Sequence, residues 1–419
     1  MTYVEFFVPD AIENISTCLT GNPGRVIFVG ENLPLMEKQA MRYRMVLLGR
    51  GTDVGFICKK VERNDLRAII DALSEIIETY GPCIFDLTGG SELYLVATGI
   101  VYDRYRDIGV QLHKFSVMEN KVIDCDESGR VLTEELTPKF SVEENIRIYG
   151  GDIVYENEKA GGTRRYVYTE EFRNEISAVW DISRKDAKRW NRFAGILAIA
   201  FTFRKSEDAL SVSAPIPELL RELKKAGFKN EPYDEVFREL KEAGLLTDYS
   251  AENDVFRFTV KNEEVRHFLT KSGQVLEMAV WAAACGAKSA IGTNTYNDAM
   301  TGVMIDWDGN LHKSGRTVDT ENEIDVIMMR GLIPVFVSCK NGSVGMDELY
   351  KLNTVADRFG GRYAKKVLVT TSLGDSGFAS YFRQRAADMK IRLVEQAQEY
   401  SLDELEELVD SFRLNGFAR

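Results

Sequence analysis

Three segments in the last third of the chain hold side chains that could work on a phosphoester. Glu277 is the one charged residue in the otherwise apolar run 275–287. Burying a lone carboxylate in such a helix is costly unless something pairs with it, and a place on the helix's outer edge is the alternative. Downstream, residues 322–329 and 332–340 read as two antiparallel strands joined at Arg330-Gly331. Alternation along a strand puts Glu323 and Asp325 on one face of the first, and Ser338 and Lys340 on one face of the second. Carboxylates of this kind hold Mg²⁺ or Mn²⁺ through oxygen, the ion polarises a phosphate and activates water, and a lysine stabilises the developing charge. An ordinary hairpin with a surface ion pair would carry the same residues.

These side chains need a framework. From residue 272 the order is helix, strand, hairpin, helix, strand, helix, strand, helix, which predicts a compact α/β domain. Asn341-Gly342 turns the chain into a helix over 346–359, ended by Gly360-Gly361 before a strand at 366–371. Arg383, Arg385, Lys390 and Arg392 could bind phosphates or form a solvated basic face. At the other end, apolar runs at 4–8, 25–29, 54–58, 83–87 and 110–115 read as strands. Helical spacing of Leu66, Ile69, Ile70, Leu73, Ile76 and Ile77 lies between them. That alternation predicts a parallel, doubly wound sheet. A hairpin-like segment at 121–131, turning at Glu127-Ser128-Gly129, closes this domain near residue 150. Gly150-Gly151 and Gly161-Gly162 then bracket a flexible polar connection.

The middle differs. Residues 172–203 are helical, and 184–192 carry five basic residues against one acidic. A near-repeat follows, 218–227 and 235–244, each a short amphipathic helix ended by a glycine suited to a left-handed cap. The alternating segment 255–260 suits a wing strand. A small winged-helix-like module is expected, serving as a spacer or dimerisation element.

A second candidate site lies in the first domain. Strand 83–87 runs into Thr88-Gly89-Gly90-Ser91-Glu92 and an apolar helix. Glycines there let a ligand approach the helix's free N–H groups. Gly30-Glu31-Asn32 and Pro9-Asp10, with Asn14 beyond, stand at equivalent strand ends, so a ligand crevice or a set of ordinary strand–helix turns is expected. Neither GxGxxG nor GxxxxGK[ST] is present, which leaves a dinucleotide cofactor or ATP hydrolysis with little support.

Length and composition bound these readings. At 419 residues, two or three domains are expected. Lys plus Arg number 53 against 65 Asp plus Glu, so the chain at −12 is no general polyanion binder and nucleic-acid contact must rest on a local basic patch. Cys18, Cys58, Cys83, Cys125, Cys285 and Cys339 form no CxxC pair and read as reduced thiols of a soluble cytoplasmic protein. His113, His267 and His312 are too scattered for a histidine-rich metal site. The longest uncharged apolar runs, such as 193–203, are too short to span a bilayer.

Taken together, Glu277, Glu323-Ile324-Asp325 and Val337-Ser338-Cys339-Lys340 resemble the PD-(D/E)XK nuclease superfamily. The chain departs from it at Ser338, where the customary second acid is missing; Glu323, Glu277 or water would substitute there. Asp86-Leu87-Thr88-Gly89-Gly90 resembles the signature loop of the CARF (CRISPR-associated Rossmann fold) domain. The whole chain resembles the cyclic-oligoadenylate-activated CARF nucleases of type III CRISPR defence. That resemblance implies a Rossmann-like CARF domain (1–150), a winged-helix-like linker (151–270) and a restriction-endonuclease-like PD-(D/E)XK domain (271–419). It implies a homodimer enclosing one cyclic oligoadenylate, the tetra-adenylate, beside Pro9, Asp10, Asn14, Gly30, Glu31, Asn32, Thr88, Gly89, Gly90, Ser91 and Glu92. It further implies catalysis by Glu277, Glu323, Asp325, Ser338 and Lys340 on single-stranded RNA or DNA or nicked duplex DNA. Mn²⁺ or Mg²⁺ would be held by Glu277 and Asp325. Two other readings stand beside it: a ligand-responsive transcriptional regulator with a degenerate nuclease domain, and a ring nuclease that cleaves the signal itself.

Overall fold

The computed structural model describes residues 1–16, 19, 23–117, 119, 121–126, 131–132, 138–158, 161–204, 209–228, 234–271, 273–309 and 321–413. The turn expected at Glu127-Ser128-Gly129, together with Cys18 and His312, lies outside them.

The first unit runs β1 (Thr2–Phe6), β2 (Arg25–Gly30), α1 (Leu33–Gly49), β3 (Gly55–Lys60), α2 (Leu66–Tyr80), β4 (Cys83–Asp86), α3 (Glu92–Tyr105), β5 (Gln111–Ser116) and β6 (Lys121–Asp124). Its sheet has the order β3-β2-β1-β4-β5-β6, parallel except for β6. The strand–helix alternation and this parallel sheet agree, because crossover helices must cover both faces. α2 shows how the sequence builds it: Asp65 caps Ala68 N–H, and Ile69, Ile70, Leu73, Ile76 and Ile77 bury one stripe against the sheet. Each such side chain stabilises by about 1.5–3 kcal/mol. The order places a topological switch point at the carboxyl ends of β1 and β4, where open α/β sheets leave a crevice.

Helix α4 (Val142–Ile148), held by a Ser141–Glu144 capping box, leads to β7 (Asp152–Ile153). The segment between the two glycine pairs is therefore no free connection, since β7 pairs Ile153 with Ile305 far along the chain. A two-residue strand has no periodicity to reveal it. The middle holds α5 (Glu170–Ser183), α6 (Ala187–Ala200), β8 (Ser211–Pro215), α7 (Ile216–Lys225), α8 (Asp234–Glu242), β9 (Leu246–Glu252), β10 (Val255–Val260) and α9 (Glu263–Leu269). Its strands form an antiparallel sheet, β8-β10-β9.

The last unit runs α10 (Gln274–Gly286), β11 (Asp298–Asp306), β12 (Glu321–Arg330), β13 (Ile333–Lys340), α11 (Met346–Gly360), β14 (Lys365–Thr370), α12 (Ser376–Asp388), β15 (Ile391–Val394) and α13 (Leu402–Asp410). Its sheet order is β15-β14-β13-β12-β11-β7. One face, with Val326, Met328, Val335, Val337, Val367 and Val369, packs under α10 and α13 and joins the core of the middle unit. The opposite face, with Ile327, Met329, Phe336 and Leu368, packs under α11 and shares a core through α4 with β1, β2 and α1. No helix among the described residues is long and apolar enough to cross a membrane.

Candidate active site

The tight turn at Gly331 sets a hairpin register that runs to Val326↔Val337, and just beyond it Asp325 and Ser338 meet in a cleft that α11 also lines. Asp325 is buried, and its Oδ2 accepts the Cys339 N–H at 2.6 Å and the Ser338 hydroxyl at 3.1 Å. Lys340 Nζ lies 3.7 Å from the same oxygen. Among the described residues, every hydrogen bond and ion pair on this carboxylate falls on Oδ2, so Oδ1 keeps its lone pairs. Glu323 lies two residues back on β12 and lines one narrow cleft with Asp325, Ser338, Glu348 and Lys351.

Glu348, in the first turn of α11, is a residue the sequence reading missed. Its Oε2 lies 3.2 Å from Lys340 Nζ and 3.4 Å from the Ser338 hydroxyl. Ser338 thus sits between two carboxylates, one from β12 and one from a helix. Burial alone would lower the Lys340 pKa, but Asp325 and Glu348 outweigh it and raise it, keeping the ammonium charged.

Glu277 reaches the same place from α10, whose Val275, Leu276, Met278, Ala279 and Val280 are fully buried. Burial first, then the charges of Asp325 and Glu323, push its carboxyl from its ordinary 4.5 up to about 8. That shift has a measurable consequence. A carboxyl whose native pKa is raised stabilises the fold below its unfolded value, and the contribution is lost as pH climbs from 4.5 to about 8. In metal-free protein, Glu277→Gln is expected to be more stable than wild type at pH 8, with the gap closing toward pH 4.5. Urea titrations at both pH values check this; equal stability at pH 8 would mean that Glu277 is freely solvated.

The structure brings Glu277, Glu323, Asp325, Ser338 and Lys340 together. Among the described residues, no group of three or more His, Cys, Asp and Glu side chains stands at the spacing of a ready-made metal cage. Asp325 and Glu348 nevertheless converge on Lys340, and Asp325 Oδ1 is open. That donor set fits Mg²⁺ or Mn²⁺, which keep water and substrate oxygens and take only one or two protein carboxylates.

Several of the basic residues noted elsewhere are engaged. Arg383 forks onto Glu395 at 2.7 and 2.6 Å, and Arg392 donates to the Ser411 carbonyl at 2.6 Å. In the 184–192 segment, Arg184, Lys185 and Arg189 pair with Asp181, Glu239 and Glu235.

At the strand ends of the first unit, the predicted residues divide. Asp86 Oδ1 accepts the Thr88 N–H at 2.7 Å and the Thr88 hydroxyl, which itself accepts the Phe115 N–H at 2.7 Å. This bonding ties the start of the glycine loop to β4 and β5. A Cβ on Gly89 would stand 2.9 Å from the Phe6 carbonyl oxygen, and one on Gly90 would stand 2.9 Å from the Phe6 side chain. Close packing against β1 therefore demands both glycines. Asn14 is fully buried and spends its amide on Val8, Asp10 and Tyr43. Asp10 accepts from Tyr149 and from the Arg362 N–H, so it faces the last unit. Asn32 caps α1, and Glu31 accepts the Arg63 N–H. Ser91, at the start of α3, makes no capping bond, and its hydroxyl oxygen is buried with no partner among the described residues. Buried hydroxyls are normally satisfied, so this orphan at the switch point suits a ligand.

No protein-family model and no curated protein matches the sequence. Solved structures do match. VC1899 from Vibrio cholerae aligns over 99% of both chains with a TM-score of 0.70 and 18% identity. Can2 from Sulfobacillus thermosulfidooxidans, solved in complex with cyclic tetra-adenylate, aligns over 98% of this chain and 97% of its own, with a TM-score of 0.60 and 16% identity. From end to end, the chain has the fold of VC1899 and Can2.

Proposed function

We propose that the chain is a metal-dependent nuclease switched on by a cyclic oligoadenylate, acting in type III CRISPR defence. The observation that carries the reading is the convergence of Asp325 and Glu348 on Lys340, with Glu323 lining the same cleft and Glu277 in the field of Asp325. Its support comes from a fold shared with a protein solved holding cyclic tetra-adenylate. The three units are read as a CARF-type sensor (1–150), a winged-helix-like spacer (151–270) and a PD-(D/E)XK-type nuclease (271–419).

Asp325 Oδ1 and Glu277 would hold Mn²⁺ or Mg²⁺, with Glu323 and Glu348 adjoining. When bound, the ion supplies Lewis-acid polarisation of the phosphate and a more acidic water. The Cys339 N–H and the Ser338 hydroxyl fix the orientation of Asp325. Lys340, held charged by Asp325 and Glu348, places a positive group where the pentavalent phosphate gathers negative charge. The crevice at the ends of β1 and β4 would take the adenylate, with the α3 N–H groups and the Ser91 hydroxyl offered to its phosphates. A two-fold symmetric ring fits two such half-sites in a homodimer.

The regulator reading is motivated by the missing acid at Ser338; the basic segment 184–192 offers it less, because three of its five basic residues pair with acids of the same unit. Labelled single-stranded RNA, single-stranded DNA and duplex DNA, incubated with Mn²⁺ and with chelator, test the nuclease half. Cleavage that chelator abolishes is expected; cleavage that survives chelator would rule out the metal-dependent site.

A further inference from the structure

The loop after β1 is shared between the two candidate sites. Its upstream end, Val8, lies beside the glycine loop of β4, since β1 pairs with β4 and a Cβ on Gly89 would stand 3.2 Å from the Val8 side chain. Its downstream part leaves the crevice and grips the last unit. Glu13, buried, pairs with the Arg362 guanidinium and accepts the Tyr363 hydroxyl. Asp10 accepts the Arg362 N–H at 3.2 Å and the Tyr149 hydroxyl at 3.1 Å. Arg362 and Tyr363 directly follow α11, the helix whose first turn carries Glu348.

Contacts at that junction are close on every side. Gly361 has φ +57°, and a Cβ there would lie 2.5 Å from Asp10 Oδ2 and 2.7 Å from the Tyr149 hydroxyl. Arg358 donates to the Tyr149 carbonyl at 2.5 Å, and Asn145 donates to the Phe359 carbonyl at 2.7 Å. Between this anchored end and Glu348, α11 is a continuous helix without proline, so displacement at one end moves the other.

We propose that Asp10 and Glu13 are positioning residues for the active site: by holding the carboxyl end of α11 they set where Glu348 stands against Ser338 and Lys340, and crevice occupancy is relayed along that path. This rests on the reading of the two sites given above. A ligand that seats against the glycine loop and shifts Pro9–Glu13 slides α11 along its axis. The active site then gains or loses the Glu348 contacts at 3.2 and 3.4 Å. The relay needs two arrangements of one packed element, which is how discrete coupling crosses a domain boundary.

Arg362→Ala and Tyr363→Phe in the full chain test it, the latter deleting one hydroxyl and keeping the ring. Cyclic tetra-adenylate binding by calorimetry, its stimulation of single-strand cleavage and amide exchange across residues 358–363 are the readouts. Both variants are expected to bind the ligand within about twofold of wild type, while stimulation falls about tenfold in Arg362→Ala. Arg362→Lys is expected to retain most of the stimulation, which a merely structural contact would not require. Ligand is expected to alter exchange at 358–363 in wild type and not in Arg362→Ala. Undiminished stimulation in both variants, or ligand-bound wild type with unchanged exchange there, overturns the relay. Altered exchange in a wild type that cuts nothing supports the relay and overturns the nuclease reading.

Discussion

Asp325→Asn is expected to lower metal-dependent cleavage by about 10²–10³-fold while the chain stays folded. Asparagine keeps one oxygen to accept the buried Cys339 N–H, so the fold loses only about 1 kcal/mol. What it removes is the charge that would anchor a cation at Oδ1 and part of the field that keeps Lys340 charged. Alanine is a poorer test: it leaves the Cys339 N–H and the Ser338 hydroxyl without their acceptor in a buried site, costing about 1–3 kcal/mol. Cleavage rate and melting temperature measured on the same preparation separate chemistry from folding. A fully active Asp325→Asn variant would remove this residue from the metal site.

Glu348→Gln carries the second-largest expected effect, a loss of about 10²-fold, with affinity for Mn²⁺ weakened in calorimetry of the unliganded chain. Gln retains the size and a hydrogen-bonding oxygen but no longer counters Lys340. Ser338→Ala is expected to cost less than about fivefold, because Asp325 keeps the Cys339 N–H and Lys340 after the hydroxyl is gone. The contrast between these variants is the informative quantity. A large loss in Ser338→Ala with an unaffected Glu348→Gln would place the essential oxygen on the serine.

What the sequence could and could not reveal follows from periodicity. Asp325 and Lys340 were legible because a period of two and a tight turn fix a register, and a register fixes which side chains meet. Glu277 stood out as a charge in an apolar helix, and its raised pKa is the physical trace of that isolation. Glu348 was hidden because acids in the first turn of a helix are common and satisfy the macrodipole without any further task. The doubly wound sheet was legible from strand–helix alternation, as was the set of strand ends that its switch point brings together. Which way Asp10 and Asn14 turn was not, since a short polar side chain at a strand end serves the loop, the ligand or a neighbouring domain equally well. β7 was too short to announce itself, and with it the seam between the first and last units was missed.

The most direct measurement is cleavage of a labelled single strand in Mn²⁺ with and without cyclic tetra-adenylate, run beside Asp325→Asn and Lys340→Ala. Cleavage that appears only with the ligand and is lost in both variants is the predicted result. Cleavage at the same rate with and without the ligand, or an intact strand in every lane, would contradict it.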